Sequence, residues 1–196
     1  MRHVEQWMGP SGWRRVAAGV CALFLLALPP AHAEDGIVIA EARTRLEEGV
    51  WYLDAVIDYR LNTTALEALE SGLPLDIELE IRLERRRPII WDAEFGELRQ
   101  RYQLQFHALT ERYITRNLNS GEQSSYASLG AALAALGQVR GLPLVDDALV
   151  DPDTKHYVEL RAVVDIKRKG GPLAIVRVFW NDWHTESDLL RWRLGR

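Results

Sequence analysis

Ile77-Glu78-Leu79-Glu80-Ile81-Arg82-Leu83-Glu84 decides the fold class. Aliphatic and charged side chains alternate without a break. A period of two is that of a β-strand, whose side chains project to opposite faces in turn. One face is therefore apolar and the other wet, as in an antiparallel sheet covered on one side only. The pattern recurs along the chain. Trp51-Leu53-Ala55-Ile57-Tyr59-Leu61 leaves Asp54, Asp58 and Arg60 on the opposite face. Leu98-Gln100-Tyr102-Leu104-Phe106 opposes Arg99-Arg101-Gln103-Gln105-His107, and Val158-Leu160-Ala162-Val164-Ile166 opposes Glu159, Arg161 and Asp165. Strands with one apolar face must bury it against one another. The sequence thus predicts a mainly β protein, an antiparallel immunoglobulin-like β-sandwich with two short helices in the connections.

The connections follow from turn chemistry. Pro88 ends one strand, and Pro88 to Glu97 reads as the link of a hairpin. A register with Leu83 opposite Tyr102 and Ile81 opposite Leu104 matches apolar with apolar. It also sets Glu84 opposite Arg101 on the wet face. Lys169-Gly170-Gly171-Pro172 reads as a second turn, placing Val164 opposite Val176 and Ala162 opposite Val178. Thr63 or Thr64 can cap a helix over Ala65 to Glu70 that stops at Gly72. Ser124 or Ser125 can cap another through Gln138, striped by Leu129, Ala132, Leu133 and Leu136, with Gly141 and Pro143 ending it. At the C-terminus, Leu190-Trp192-Leu194 alternates with Arg191-Arg193, which predicts an edge strand packed back on the sandwich.

The N-terminus has a different character. Arg2, Arg14 and Arg15 precede the apolar run Val16 to Leu28, and Pro29-Pro30 and Ala31-His32-Ala33 follow. A basic region, an apolar stretch too short for a comfortable membrane span and an A-x-A site predict a signal peptide over residues 1–33, cleaved after Ala33. Residues 34–196 are then one β-sandwich domain in the periplasm, with no stable membrane span after cleavage. The formal charge is −4, and removing residues 1–33 leaves the remainder two charges more negative. An acidic surface repels phosphate backbones, so nucleic acid is a poor partner. The single cysteine, Cys21, lies inside the apolar run. The mature part therefore has no disulfide, thiolate nucleophile or cysteine metal site.

Little in the mature part points to catalysis. His107, His156 and His184 lack ligand spacing and read as solvated. Ser120, Ser124, Ser125 and Ser128 lie in no nucleophile motif. Asp146, Asp147, Asp151 and Asp153 read as turn residues rather than a calcium loop. No metal and no cofactor are expected. A hydrolase would need acids such as Asp146, Asp147 and Asp182 to converge. A small-ligand binder would need a pocket between the sheets for an amphiphile or acidic solute. The favoured reading is a non-catalytic interaction module whose partner is another envelope protein. Its candidate surface is Arg85, Arg87, Ile90, Trp91, Trp183 and Trp192. In that reading the arginine forks leave the core at a strand end and bind a carboxylate or phosphate, and the bulky residues form a docking patch; the plainer readings are a solvated strand end paired with Glu94 and Glu97, and an Ile89-Ile90-Trp91 plug at one end of the sandwich.

Several stretches carry a family likeness. Ala68-Leu69-Glu70-Ser71-Gly72-Leu73-Pro74-Leu75 runs into the alternating strand to Arg87, and Tyr102-Gln103-Leu104 follows. Ser128-Leu129-Gly130-Ala131-Ala132-Leu133-Ala134-Ala135-Leu136-Gly137 comes next, and the tail runs from Trp183 through Ser187 to Trp192. Here the chain resembles the exported proteobacterial DUF4390 family, over about Ile37 to Leu194. The Lys169-Gly170-Gly171-Pro172 turn departs from that family's Leu-Pro-rich one. The resemblance implies an exported β domain and supplies no catalytic residue. Members often stand beside a membrane sensor kinase gene of the nitrogen-regulation type, which implies envelope signalling or assembly.

Overall fold

The computed structural model describes residues 35–85, 93–166 and 184–195. Strand β1 (Gly36–Glu47) and strand β2 (Val50–Arg60) form an antiparallel hairpin. Its two-residue turn places Glu48 at φ 49° and Gly49 at φ 80°. Positive φ at both positions is what a type I′ turn requires, and it suits the twist of the strands. Helix α1 (Thr63–Glu70) follows, then β3 (Leu75–Arg85), β4 (Ala93–His107), β5 (Arg112–Asn117) and β6 (Gln123–Tyr126). Helix α2 (Leu129–Leu136) leads into β7 (Gln138–Asp146), a 3₁₀ turn at Asp147–Leu149, β8 (His156–Asp165), β9 (His184–Glu186) and β10 (Leu190–Arg193).

Among the described residues these strands make two antiparallel sheets. The smaller runs β1-β2-β7; the larger runs β10-β8-β3-β4-β5-β6, with β9 also beside β8. Three strands thus oppose seven, whereas an immunoglobulin constant domain divides its strands four and three. The inner faces meet in one apolar cluster. Trp51, Leu53, Ala55, Ile57 and Tyr59 come from β2, Leu75, Ile77, Leu79, Ile81 and Leu83 from β3, and Val158, Leu160, Ala162 and Val164 from β8. Burial of each large aliphatic side chain contributes about 1.5–3 kcal/mol. Helix α1 adds Ala65, Ala68 and Leu69, and α2 adds Ala132 and Leu136. The end of α2 presses directly on β2. A Cβ on Gly137 would lie 2.0 Å from the Ile57 carbonyl oxygen, and the Ile57 amide donates to Gly137 O at 2.9 Å.

The outer face of the large sheet carries the charges that alternate with this core. Arg99 bridges Glu97 and Glu78, Arg161 reaches Glu186, and Arg191 reaches Glu84 and Glu159. Most of these pairs are substantially exposed and contribute little individually. Together they cover the sheet with both signs.

The structure corrects several expectations. β3 and β4 are hairpin partners, but Tyr102 lies opposite Ile77, Leu104 opposite Leu75 and Arg101 opposite Glu78. Leu83 lies opposite Gly96, and Glu84 opposite Glu94. The connection is shorter than Pro88 to Glu97, because β4 already begins at Ala93. The offset is even, so every side chain keeps its face. Asn62 caps α1, its side chain accepting from Ala65 N, and not Thr63 or Thr64. Ser128 caps α2, while Ser124 and Ser125 lie in β6. Gly141 and Pro143 end no helix; both lie in β7. Val176 and Val178 lie outside the described residues, and Val164 is flanked by Ile77 and Thr185. His156 is buried, not solvated, because β8 starts two residues before Val158 and parity turns it inward. The C-terminal edge strand forms as expected: β10 pairs with β8, and Leu194 is buried.

Candidate functional site

The outer face of the small sheet holds an open groove of about 1010 Å³, lined by residues of β1, β2 and β7. Strand parity puts its polar groups there. With Leu53 and Ala55 inward, Asp54 and Val56 face out. The β1–β2 register sets Arg43 opposite Asp54, Arg45 opposite Tyr52 and Glu41 opposite Val56. On the other side, β7 pairs Leu142 with Leu53 and Val139 with Ala55, so Arg140 and Gly141 together face Asp54 alone. Two residues against one is a β-bulge, which bends a strand and redirects a backbone amide. Gly141 takes φ 58° at this bulge, a conformation costly for other residues.

Asp54 is the centre of the arrangement. Its Oδ1 accepts the Gly141 amide at 2.8 Å, and its Oδ2 accepts Arg45 Nε at 3.1 Å with Arg43 Nε at 3.6 Å. The Gly141 hydrogen bond, helped by the Arg45 and Arg43 charges and opposed by burial, holds its carboxyl below the usual range. A carboxylate held ionised by two donors and a nearby third charge is a poor proton donor or base at neutral pH. It acts as an anchor for the arginines. Arg45 also pairs with Glu47 and stacks over the Tyr52 ring at 5.0 Å. Arg43 is less engaged: its side chain is 77 % exposed. Arg140, on the far wall, donates to Gln138 Oε1 at 3.3 Å. Two exposed guanidinium groups therefore flank the groove, and each can grip an oxyanion with a planar fork.

The residues singled out from sequence fall elsewhere. Arg85 ends β3, half-buried and laterally opposite His156, and its charge adds a small part to the lowered pKa of Asp151. Hydrogen bonds from the Thr154 hydroxyl and Asp153 amide contribute more to that lowering. Arg87, Ile90, Trp91 and Trp183 lie outside the described residues. Trp192 is half-buried and packs against the core, its Nε1 3.5 Å from Thr44 Oγ1. It thus joins β10 to β1 across the sandwich edge. Asp146 caps the 3₁₀ turn, and Asp147 accepts Trp51 Nε1 at 2.9 Å; Asp182 lies outside the described residues. Among the described residues, no three His, Cys, Asp or Glu side chains gather as a metal site, and no helix is long and apolar enough to cross a membrane.

Arg43, Arg45, Asp54 and Arg140 were not singled out by sequence reasoning. Glu48-Gly49 between two alternating runs is a hairpin signal that would have set Arg43 against Asp54. The position of Arg140 depends on the bulge, which has no comparable signal.

The chain belongs to the family described as a domain of unknown function, DUF4390, whose model matches residues 34–193. No curated protein and no solved structure matches it.

Proposed function

We propose that this protein is an exported, periplasmic, non-catalytic interaction module that docks on another envelope protein, in signalling or assembly. The observation that carries the reading is the filled interior. Among the described residues, side chains of β2, β3 and β8 meet between the sheets in one buried cluster, which is a packed core and not a ligand cavity. The groove that the described residues do form lies on the outer surface, open and rimmed by charge. Of its two acids, Asp54 and Glu41, Asp54 is committed to the Gly141 amide and Arg45, which leaves it unsuited to general acid or base work. The basic, apolar and A-x-A segments of residues 1–33 support export.

Two measurements test this reading. Fractionation of cells with intact-mass analysis should find the protein in the periplasm, beginning at Glu34. Cross-linking in the periplasm should attach a discrete envelope protein. A chain that keeps residues 16–28, or one that yields no envelope adduct, would contradict the reading.

A further inference from the structure

We infer that the outer groove of the small sheet binds an extended acidic segment of the partner protein, with Arg43 and Arg140 gripping its carboxylates. This rests on the docking role proposed above and names the chemistry of the partner. Three observations carry it. First, Arg43 on β1 and Arg140 on β7 stand on opposite walls, with Asp54 between them. A ligand lying across the floor meets a guanidinium on each side. Second, the lining holds three arginines against Asp54 and Glu41, on a chain whose net charge is −4. Arg45 is already paired with Asp54 and Glu47, so the positive charge left to a ligand is that of the exposed Arg43 and Arg140, and charge complementarity selects an acidic occupant. Asp54 takes up part of that charge but leaves Arg43 largely exposed. Third, the groove is open and about 1010 Å³. A small dicarboxylate would fill a minor part of it and stay mostly in water, whereas good small-ligand sites enclose most of their ligand. An extended peptide fits better, because it can lie across the open floor of the sheet face and reach Arg43 on one wall and Arg140 on the other.

The test is fluorescence polarisation of a fluorescein-labelled hexaglutamate peptide with the full-length protein, at low and at near-physiological salt. Saturable binding that weakens with salt is expected, because the contacts are exposed charge pairs. Arg43→Ala combined with Arg140→Ala should weaken binding at least tenfold. Arg116→Ala, an exposed arginine on β5, should leave it unchanged. Succinate at millimolar concentration should not displace the peptide. Absence of saturable binding, an unaffected double variant, or displacement by succinate as effective as by unlabelled hexaglutamate would each overturn the inference. If the double variant is unstable, Arg140→Glu alone carries the same test. An envelope adduct that persists in the double variant would overturn this inference while leaving the interaction-module reading intact.

Discussion

Gly137→Ala should destabilise the protein far more than a single methyl group suggests. The added Cβ would sit 2.0 Å from the Ile57 carbonyl oxygen, 3.2 Å from the Ile57 carbonyl carbon and 3.3 Å from Leu133 O. All three are backbone atoms and cannot turn aside as a side-chain tip can. The end of α2 would have to retreat from β2 by about 1 Å to restore ordinary contact, an overpacking cost of about 1–3 kcal/mol. That retreat also stretches the 2.9 Å bond from Ile57 N to Gly137 O, and loosening a buried backbone pair costs about 1–3 kcal/mol. Against this, alanine restricts the unfolded chain and returns about 0.4–1 kcal/mol. The net loss is about 1–5.6 kcal/mol, centred near 3 kcal/mol, which at about 2–4 °C per kcal/mol lowers Tm by about 6–12 °C for a domain of this size. The control is Gly130→Ala in the same helix, where the new Cβ meets nothing within 4 Å. There only the unfolded-state gain remains, and Tm should rise by about 1–3 °C. Thermal melts and urea midpoints of the two variants give the answer. A Gly137→Ala protein as stable as Gly130→Ala would refute the packing of α2 on β2.

Other outcomes follow from the same packing. Deleting residues 188–196 removes Trp192 from the sandwich edge and Leu194 from the core, and Tm should fall by at least about 5 °C; an unchanged Tm would show that β10 adds nothing to the core. Asp54→Asn should lower stability by about 1–2 kcal/mol at neutral pH, through loss of charge-assisted bonds. The folded pKa of Asp54 is depressed, so its contribution is complete above the unfolded value of about 3.9 and is lost as pH falls through the folded value. The gap between wild type and Asp54→Asn should therefore narrow below about pH 4; a gap that is constant in urea melts from pH 7 to pH 3 would contradict this.

Alternation made the strands of the core legible because burial on one face imposes a period of two. Alternation fixes parity, however, and leaves register open. Any even shift of Leu83 along β4 keeps its face, where Leu98, Tyr102, Leu104 and Phe106 all offer apolar partners, and the acids and bases on the other face satisfy several registers. The length of the connection decided between them, and it is set by where the strands stop. β7 was hidden for a different reason. Gly141 and Pro143 are helix stops and strand breakers in isolation. In the fold Gly141 serves a bulge, and Pro143 lies on a strand that is at the sheet edge among the described residues, where a missing amide can face away from the sheet. The groove is built on that bulge, so its far wall could not be read before the bulge was known. His156 teaches the converse: extending β8 two residues places it by parity among Val158 and Leu160.

The central claim, docking on an envelope protein, is tested most directly by photo-crosslinking in living cells. A photoreactive residue is placed at Gln138 on the groove, at Trp91, or at Glu111 in the β4–β5 turn as a control, and adducts are identified by mass spectrometry. The account predicts one discrete adduct with an exported or membrane protein from the Gln138 position, reduced in the Arg43→Ala, Arg140→Ala background, and none from Glu111. An adduct from Trp91 alone would keep the docking role and move it away from the groove. No discrete envelope adduct from any position would contradict the account.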